Sequence, residues 1–134
     1  MHARIRLRTP GPGLHEITGE VAPHARGTGL LHLFCRHTSC ALLVQENADP
    51  DVRADLDAYF SRLVPRSDDP SMSYLRHRIE GPDDMPAHIR AAMLPAGLAI
   101  PVEDGRMLLG TWQGIYLWEL RDAPHAREVV ATMA

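Results

Sequence analysis

A tryptophan bracketed by glycines and followed by an apolar strand pattern constrains the fold of this chain more than any other feature. Residues 110–114 read Gly-Thr-Trp-Gln-Gly, and residues 115–121 read Ile-Tyr-Leu-Trp-Glu-Leu-Arg. Glycine accepts backbone dihedral angles that other residues avoid, so this segment predicts a tight turn or a close backbone approach. Strand alternation then places Glu119 and Arg121 on one face and the aromatic residues on the other. Two interpretations of the two charges stay open: a buried structural ion pair or a ligand site.

Length, composition and charge limit the class of protein. A chain of 134 residues fits one domain, residues 1–134, with room for a core. Because 45% of the residues are hydrophobic and only 5% aromatic, we expect aliphatic packing to dominate that core. The net charge of −3 argues against a nucleic-acid surface, which needs clustered positive charge. All 14 basic residues are arginine, which excludes a Schiff-base lysine and a P-loop lysine.

The cysteines and the hydropathy pattern indicate where in the cell the protein is expected. Cys35 and Cys40 have no second pair to complete a zinc knuckle, so we expect them to be small buried apolar residues. The sequence shows no secretory signal pattern and no apolar run long enough for a membrane span. The expected location is therefore the cytoplasm, with no membrane partner.

Hydrophobic periodicity predicts an α+β fold with a largely antiparallel sheet. Asp49-Pro50 is a strong helix start, because aspartate caps free amides and proline fits the first helical position. The expected helices cover residues 50–64 and 85–94, the second capped by Asp83 or Asp84, and a long polar loop covers 65–78. Residues 20–25 could add one helical turn. The expected strands cover residues 4–8, 14–18, 30–36, 41–45, 97–102, 107–109, 114–121 and 128–132.

Three of the eight histidines stand beside residues that chemistry could use. His37 precedes Thr38, His77 lies three residues before Glu80, and His88 lies four residues after Asp84 on one helix face. Three imidazoles from separate segments could hold a divalent metal and leave one position open for a substrate. Ordinary hydrogen-bonded histidines remain the alternative, since the sequence contains no H-E-x-x-H motif.

Two further groups of polar residues adjoin helix starts. Glu46 and Asn47 close a strand just before the first helix, where they could cap it or serve as acid/base or substrate-orienting groups. Glu80 precedes a glycine turn, and the chemistry of an ordinary loop-to-helix junction does not explain it.

Several of these segments, taken in order, resemble the YjbQ family, which is named for a secondary thiamine-phosphate synthase activity. The matching segments run from about residue 4 to residue 133, and the Gly-Thr-Trp-Gln-Gly element is highly specific. They are His37-Thr38-Ser39-Cys40, Gln45-Glu46-Asn47 with Asp49-Pro50, His77 with Glu80-Gly81, residues 84–90 and residues 110–114. Two positions depart from the family pattern, because Cys40 stands where alanine is frequent and Leu120 where histidine is frequent.

The resemblance implies a compact sandwich of mainly antiparallel sheet with two helices, assembled as a homotrimer with sites near subunit contacts. The implied reaction joins an aminomethyl-pyrimidine pyrophosphate to a thiazole phosphate, forming thiamine phosphate and releasing pyrophosphate. The implied catalytic residues are His37, Glu46, Asn47 and Glu80, and the metal ligands for Zn or Mg are His37, His77 and His88. The implied substrate-binding residues are Thr38, Ser39, Trp112, Gln113, Glu119 and Arg121.

Two other function classes compete with this transferase. A metal-dependent hydrolase of another phosphorylated or acyl substrate would use the same histidines to activate water. A trimeric protein that binds a small molecule without turnover is the third class. Arg78, Arg90 and Arg121 are the candidates for binding an anionic substrate group, because the sequence has no glycine-rich phosphate cradle.

Overall fold

The computed structural model describes all 134 residues as eight strands and three α-helices. The strands are β1 His2–Thr9, β2 Gly13–Glu16, β3 Gly29–Cys35, β4 Cys40–Glu46, β5 Gly97–Glu103, β6 Arg106–Met107, β7 Gln113–Glu119 and β8 His125–Met133. The helices are α1 Thr18–Val21, α2 Pro50–Leu63 and α3 Asp84–Met93, with single 3-10 turns at Ala22–His24 and Pro70–Met72. No helix combines the length and the hydropathy that crossing a membrane requires.

The strands form two antiparallel sheets. One has five strands in the order β1-β8-β3-β5-β6, and the other has three in the order β2-β7-β4. The predicted α+β fold with a mainly antiparallel sheet sandwich is therefore confirmed. The two predicted helices are α2 and α3, and the predicted helical turn over residues 20–25 corresponds to α1 and the 3-10 turn that follows it.

The main core lies between the two sheets and is aliphatic, as the composition predicts. Ile115 and Leu117 of β7 are fully buried there against Leu31 and Leu33 of β3. Each such side chain contributes roughly 1.5–3 kcal/mol through burial, so this interface holds the two sheets in a fixed relation.

The opposite face of the three-stranded sheet is covered by α2 and α3. Trp118 and Leu120 form a second apolar cluster there with Ala87 of α3. Phe60 of α2 meets Trp118 edge to face, with ring centroids 5.0 Å apart. This arrangement follows from the strand alternation, which sends Trp118 to the helices and Glu119 to the sheet core.

The ends of two elements differ from the prediction in ways that position the site. α2 begins as expected, because the Asp49 carboxylate accepts a hydrogen bond from the Asp51 amide. Asp83 precedes α3 but makes no capping bond, since its carboxylate binds Arg121 instead. β7 ends at Glu119 rather than at residue 121, so Arg121 leaves the sheet and reaches the start of α3.

Candidate functional site

The predicted site residues fall into two groups at opposite ends of β7. Glu46 pairs with Gln113 at one end of the β4–β7 ladder, and Cys40 pairs with Glu119 at the other. Six strand steps of about 3.4 Å separate these ends by roughly 20 Å. The hypothesis of one site that contains Glu46 together with the three histidines is therefore wrong within a single chain.

At the first end, the glycine-bracketed turn docks against the segment before α2. The Asn47 amide donates to the Trp112 carbonyl at 3.0 Å, and the Gln113 side chain accepts from the Gly110 amide at 2.7 Å. The Glu46 carboxylate accepts from the amides of Ala48 and Asp49, which is the capping alternative. Trp112 remains 63% exposed, so its indole is open to a partner or a ligand.

Gly114, at the end of this turn, lies close to the side chains of Glu16 and Asn47. A Cβ added at Gly114 would lie 2.6 Å from Glu16 Oε2 and 3.1 Å from Asn47 Cβ. Glu16 Oε2 ends a flexible side chain that can move, but Asn47 Cβ is fixed to its backbone, so position 114 favours a residue without a side chain. This confirms the close approach that the sequence predicts.

At the second end, two histidines and an aspartate converge. The Nε2 atoms of His77 and His88 lie 2.7 and 3.1 Å from Asp84 Oδ2, and all three ligand atoms lie within 4.8 Å of one another. We call this group the His77–Asp84–His88 cluster. Ligand atoms around a tetrahedral zinc ion are about 3.3 Å apart, given bonds of 2.0–2.2 Å, so the donor set and its spacing fit a divalent cation.

The hydrogen bonds of His88 define which of its nitrogens is free. Nδ1 lies 2.8 Å from the Thr38 carbonyl, which can only accept, so Nδ1 carries a proton and donates. In the neutral ring Nε2 then has a lone pair that faces the Asp84 carboxylate. Two acceptors that face each other need a proton or a cation between them, and a backbone carbonyl behind a histidine is a common arrangement at metal sites.

Asp84 is held ionised within this cluster. Burial would raise the pKa of Asp84, but the hydrogen bond from His77 and the nearby His88 and Arg121 hold it below its usual value. Arg121 Nη1 lies 2.8 Å from Asp84 Oδ1, which leaves Oδ2 directed at the histidines. The carboxylate is therefore an anion oriented toward both imidazole nitrogens.

His37 lies outside the cluster, which corrects the predicted set of three histidine ligands. Its Nε2 accepts a hydrogen bond of 2.8 Å from the Glu128 amide, so that lone pair is already used. Burial, together with the nearby Arg127, lowers the pKa of His37, so the ring is neutral and carries its proton on Nδ1. Asp84 takes the place of His37 in the ligand set, and its i,i+4 spacing from His88 was the signal in the sequence.

Glu119 and Arg121 do not form the side-chain pair that their shared strand face suggests. The Glu119 carboxylate is fully buried and binds Arg127 of β8, with Nη2–Oε2 at 2.5 Å and Nε–Oε1 at 2.8 Å. It also accepts from the Thr9 hydroxyl at 2.7 Å. Arg121 contacts Glu119 only through its backbone amide. The structural ion-pair interpretation therefore holds for Glu119, with Arg127 as the partner.

Arg78 and Arg121 are occupied by protein oxygens, whereas the buried Nε of Arg90 has no hydrogen-bond partner. Arg121 donates to the Asp83 carboxylate and the Glu80 carbonyl besides its contact with Asp84. Arg78 donates to three loop carbonyls, and Arg90 donates to the Val64 carbonyl. Arg78 and Arg121 fix the loop and the start of α3, so the geometry assigns these two side chains positioning roles.

Of the remaining predicted residues, Thr38 lines a cleft beside the cluster, whereas Ser39 and Glu80 do not. A cavity of about 310 Å³ is lined by His37, Thr38, Cys40 and His88 together with alanines of α3 and the segment after it. Ser39 is buried and accepts a hydrogen bond from Arg127. Glu80 is exposed, and its carboxylate makes no hydrogen bond or ion pair within the chain. A larger cavity of about 410 Å³ lies elsewhere, against α2, and contains no histidine.

Comparison with known proteins identifies the family. The family model described as UPF0047 protein YjbQ-like matches residues 3–134, and the chain belongs to this family. It is similar to the UPF0047 protein sll1880 of Synechocystis, with 47% identity over 92% of this chain and 84% of that protein. It is also similar to the UPF0047 protein YjbQ of Salmonella typhimurium, with 44% identity over 96% of this chain and 94% of the other.

A solved structure shows the same fold. The conserved hypothetical protein TT1486 of Thermus thermophilus superposes with a TM-score of 0.85 and 36% identity, covering 98% of this chain and 99% of the other. The predicted family and fold class are thus both confirmed.

Proposed function

We propose that this chain is a metal-dependent enzyme that acts on a small phosphorylated substrate. The observation that carries the proposal is the convergence of two imidazole nitrogens and one ionised carboxylate oxygen beside an open cleft. His77, Asp84 and His88 would hold a divalent ion, zinc or magnesium, of which zinc suits two imidazoles better. Such an ion supplies positive charge to a phosphate leaving group or lowers the pKa of a bound water.

The reaction that the family resemblance implies is thiamine-phosphate synthesis with release of pyrophosphate. In this proposal His37 contributes a neutral ring whose Nδ1 proton is free to donate to a substrate oxygen, because Nε2 is already an acceptor. Arg121 keeps Asp84 ionised and oriented rather than binding the substrate. Thr38 contributes through its carbonyl, which fixes the ring of His88.

One observation favours hydrolysis as the second candidate. A dedicated pyrophosphate site usually presents free guanidinium or ammonium groups, but here Arg78 and Arg121 are bound to protein oxygens and Arg90 does not line the cleft. A metal-activated water attacking a phosphorylated or acyl substrate needs less positive charge from the protein. A non-catalytic binding protein is the third alternative.

A paired assay separates these candidates. The purified protein, supplied with Zn²⁺ or Mg²⁺, is given the pyrimidine pyrophosphate and the thiazole phosphate, and thiamine phosphate is measured by chromatography. The same samples are tested for release of phosphate from a panel of small phosphate esters. Asp84→Asn should abolish turnover, whereas Glu103→Gln, at an exposed position on β5, should preserve it. Product from Asp84→Asn at the wild-type rate would refute the metal-dependent mechanism.

We also propose that the chain assembles as a homotrimer, as the resemblance implies. The outer face of the five-stranded sheet supports this, because Leu30 and Phe34 of β3 remain 42% and 56% exposed there. Apolar side chains on an uncovered sheet face favour association. Light scattering at micromolar concentration should give three times the chain mass of 14.9 kDa, and a stable monomer would contradict this.

A further inference from the structure

Two cysteines lie against each other beneath the cleft. Cys35 ends β3, Cys40 begins β4, and their Sγ atoms are 3.3 Å apart. Both thiols are free, and each residue is 2% exposed. Because β3 belongs to the five-stranded sheet and β4 to the three-stranded sheet, the pair connects the two sheets at one end of the core.

Only a small movement of the two sulfur atoms separates this contact from a disulfide bond. A disulfide has a sulfur–sulfur distance of about 2.05 Å, so the two atoms must approach by roughly 1.3 Å. The four residues between the cysteines form a connection outside both strands, which can absorb such a shift.

The two thiols are not equivalent. The hydrogen bond from Cys40 is the largest cause that lowers the pKa of Cys35 to about 7, and the Arg127 guanidinium also favours its thiolate. The same hydrogen bond and burial raise the pKa of Cys40. Cys35 is therefore the nucleophile of the pair, and Cys40 is the resolving thiol.

We propose that Cys35 and Cys40 form a reversible intramolecular disulfide when the protein meets a hydroperoxide. The Cys35 thiolate attacks one peroxide oxygen, the O–O bond breaks, and the leaving oxygen takes a proton to become water when the oxidant is hydrogen peroxide. Cys40 then attacks the sulfur of the Cys35 sulfenic acid, the S–O bond breaks, and a second water leaves with the Cys40 proton. The peroxide gains two electrons, and the two thiols together lose two.

The disulfide would act on the cleft through the enclosed loop. The loop that the disulfide would close contains Thr38, whose carbonyl accepts a hydrogen bond from His88, and Ser39, whose oxygens accept from Arg127. The disulfide would therefore restrain the loop whose Thr38 carbonyl orients the imidazole of His88 in the His77–Asp84–His88 cluster. The formation of the disulfide does not depend on the proposed enzymatic activity.

Peptide mapping of the folded protein tests this directly. Native protein is treated with hydrogen peroxide, the peroxide is removed, and the chain is unfolded in the presence of N-ethylmaleimide, which blocks every free thiol before digestion with trypsin. Cleavage after Arg26, Arg36 and Arg53 places Cys35 on residues 27–36 and Cys40 on residues 37–53. The expected product is the disulfide-linked pair of these peptides, which dithiothreitol separates, in a chain that runs as a monomer on a denaturing non-reducing gel.

The Cys40→Ala variant is the matched control for this experiment. Cys40→Ala removes the resolving thiol with little change in volume, and its Cys35 peptide should gain oxygen atoms instead of a partner. Circular dichroism and the mass of untreated protein show whether the variant is folded. If wild-type protein keeps both thiols available to N-ethylmaleimide after peroxide treatment, or if the cysteines link only between chains, the proposal is wrong.

Discussion

Replacing Glu119 by glutamine should destabilise the protein strongly, because it leaves Arg127 as an uncompensated buried charge. The Glu119 carboxylate accepts from the Arg127 guanidinium, the Thr9 hydroxyl and the Arg121 amide, and none of its surface reaches solvent. Glutamine keeps one acceptor oxygen but places an amide donor where a second acceptor is needed. Removing one partner of a buried ion pair costs about 3–5 kcal/mol, and we expect about 3 kcal/mol here.

Chemical denaturation measures this loss, and a double substitution isolates its cause. A loss of 3 kcal/mol corresponds to a fall in Tm of roughly 10–15 °C for a domain of this size. Glu103→Gln is the surface control and should change the free energy of unfolding by less than about 0.5 kcal/mol. Glu119→Leu combined with Arg127→Met removes both charges and should recover much of the loss. Unchanged stability in Glu119→Gln would refute the structural role of this pair and restore Glu119 as a ligand-binding candidate.

Hydrogen bonds from Arg127 and Thr9 outweigh the effect of burial and hold the pKa of Glu119 below its usual 4.5, so this contribution to stability is present above about pH 4.5 and is lost as the pH falls through the folded-state value. Wild-type protein should therefore lose more stability than Glu119→Gln between about pH 5 and pH 3 in urea titrations, and parallel losses would contradict this assignment. Gly114→Ala should cost about 1–3 kcal/mol because its Cβ meets Glu16 and Asn47, whereas Gly19→Ala meets nothing within 4 Å and should be neutral or stabilising in the same denaturation assay. Arg121→Lys keeps the charge, but lysine cannot reach Asp83, Asp84 and the Glu80 carbonyl together. The zinc affinity measured by calorimetry should therefore fall about tenfold, while the circular dichroism spectrum stays unchanged. A wild-type zinc affinity in this variant would show that Arg121 does not position Asp84.

The fold was largely predictable because its signals are local. The capped start at Asp49-Pro50 and the alternation from Ile115 to Glu119 each depend on neighbouring residues, and both elements lie within one or two residues of their expected bounds. Residues 20–25 predict a single helical turn without exact bounds, because α1 has only four residues, fewer than periodicity can resolve.

The candidate site was predictable only in part, because its partners come from distant segments. The sequence singles out His77 and His88 as histidines near acidic residues, but it predicts a helix-capping role for Asp83 or Asp84. It does not show that the Asp84 carboxylate faces two imidazoles. Arg127 follows Glu119 by eight residues on another strand, so strand alternation pointed to Arg121 as the partner instead. The separation of Glu46 from the histidines required the register of β4 on β7, which side-chain patterns do not determine.

Calorimetric titration with Zn²⁺ tests the central claim most directly. The His77–Asp84–His88 cluster predicts one tight site per chain in wild-type protein, and an affinity lower by more than about 100-fold in both Asp84→Asn and His88→Ala. His24→Ala removes a part-exposed imidazole in the 3-10 turn Ala22–His24 and controls for non-specific binding, so it should keep the wild-type stoichiometry and affinity. Absence of a tight site in wild-type protein, or equal zinc affinity in all four proteins, would contradict the assignment of this cluster as a metal centre.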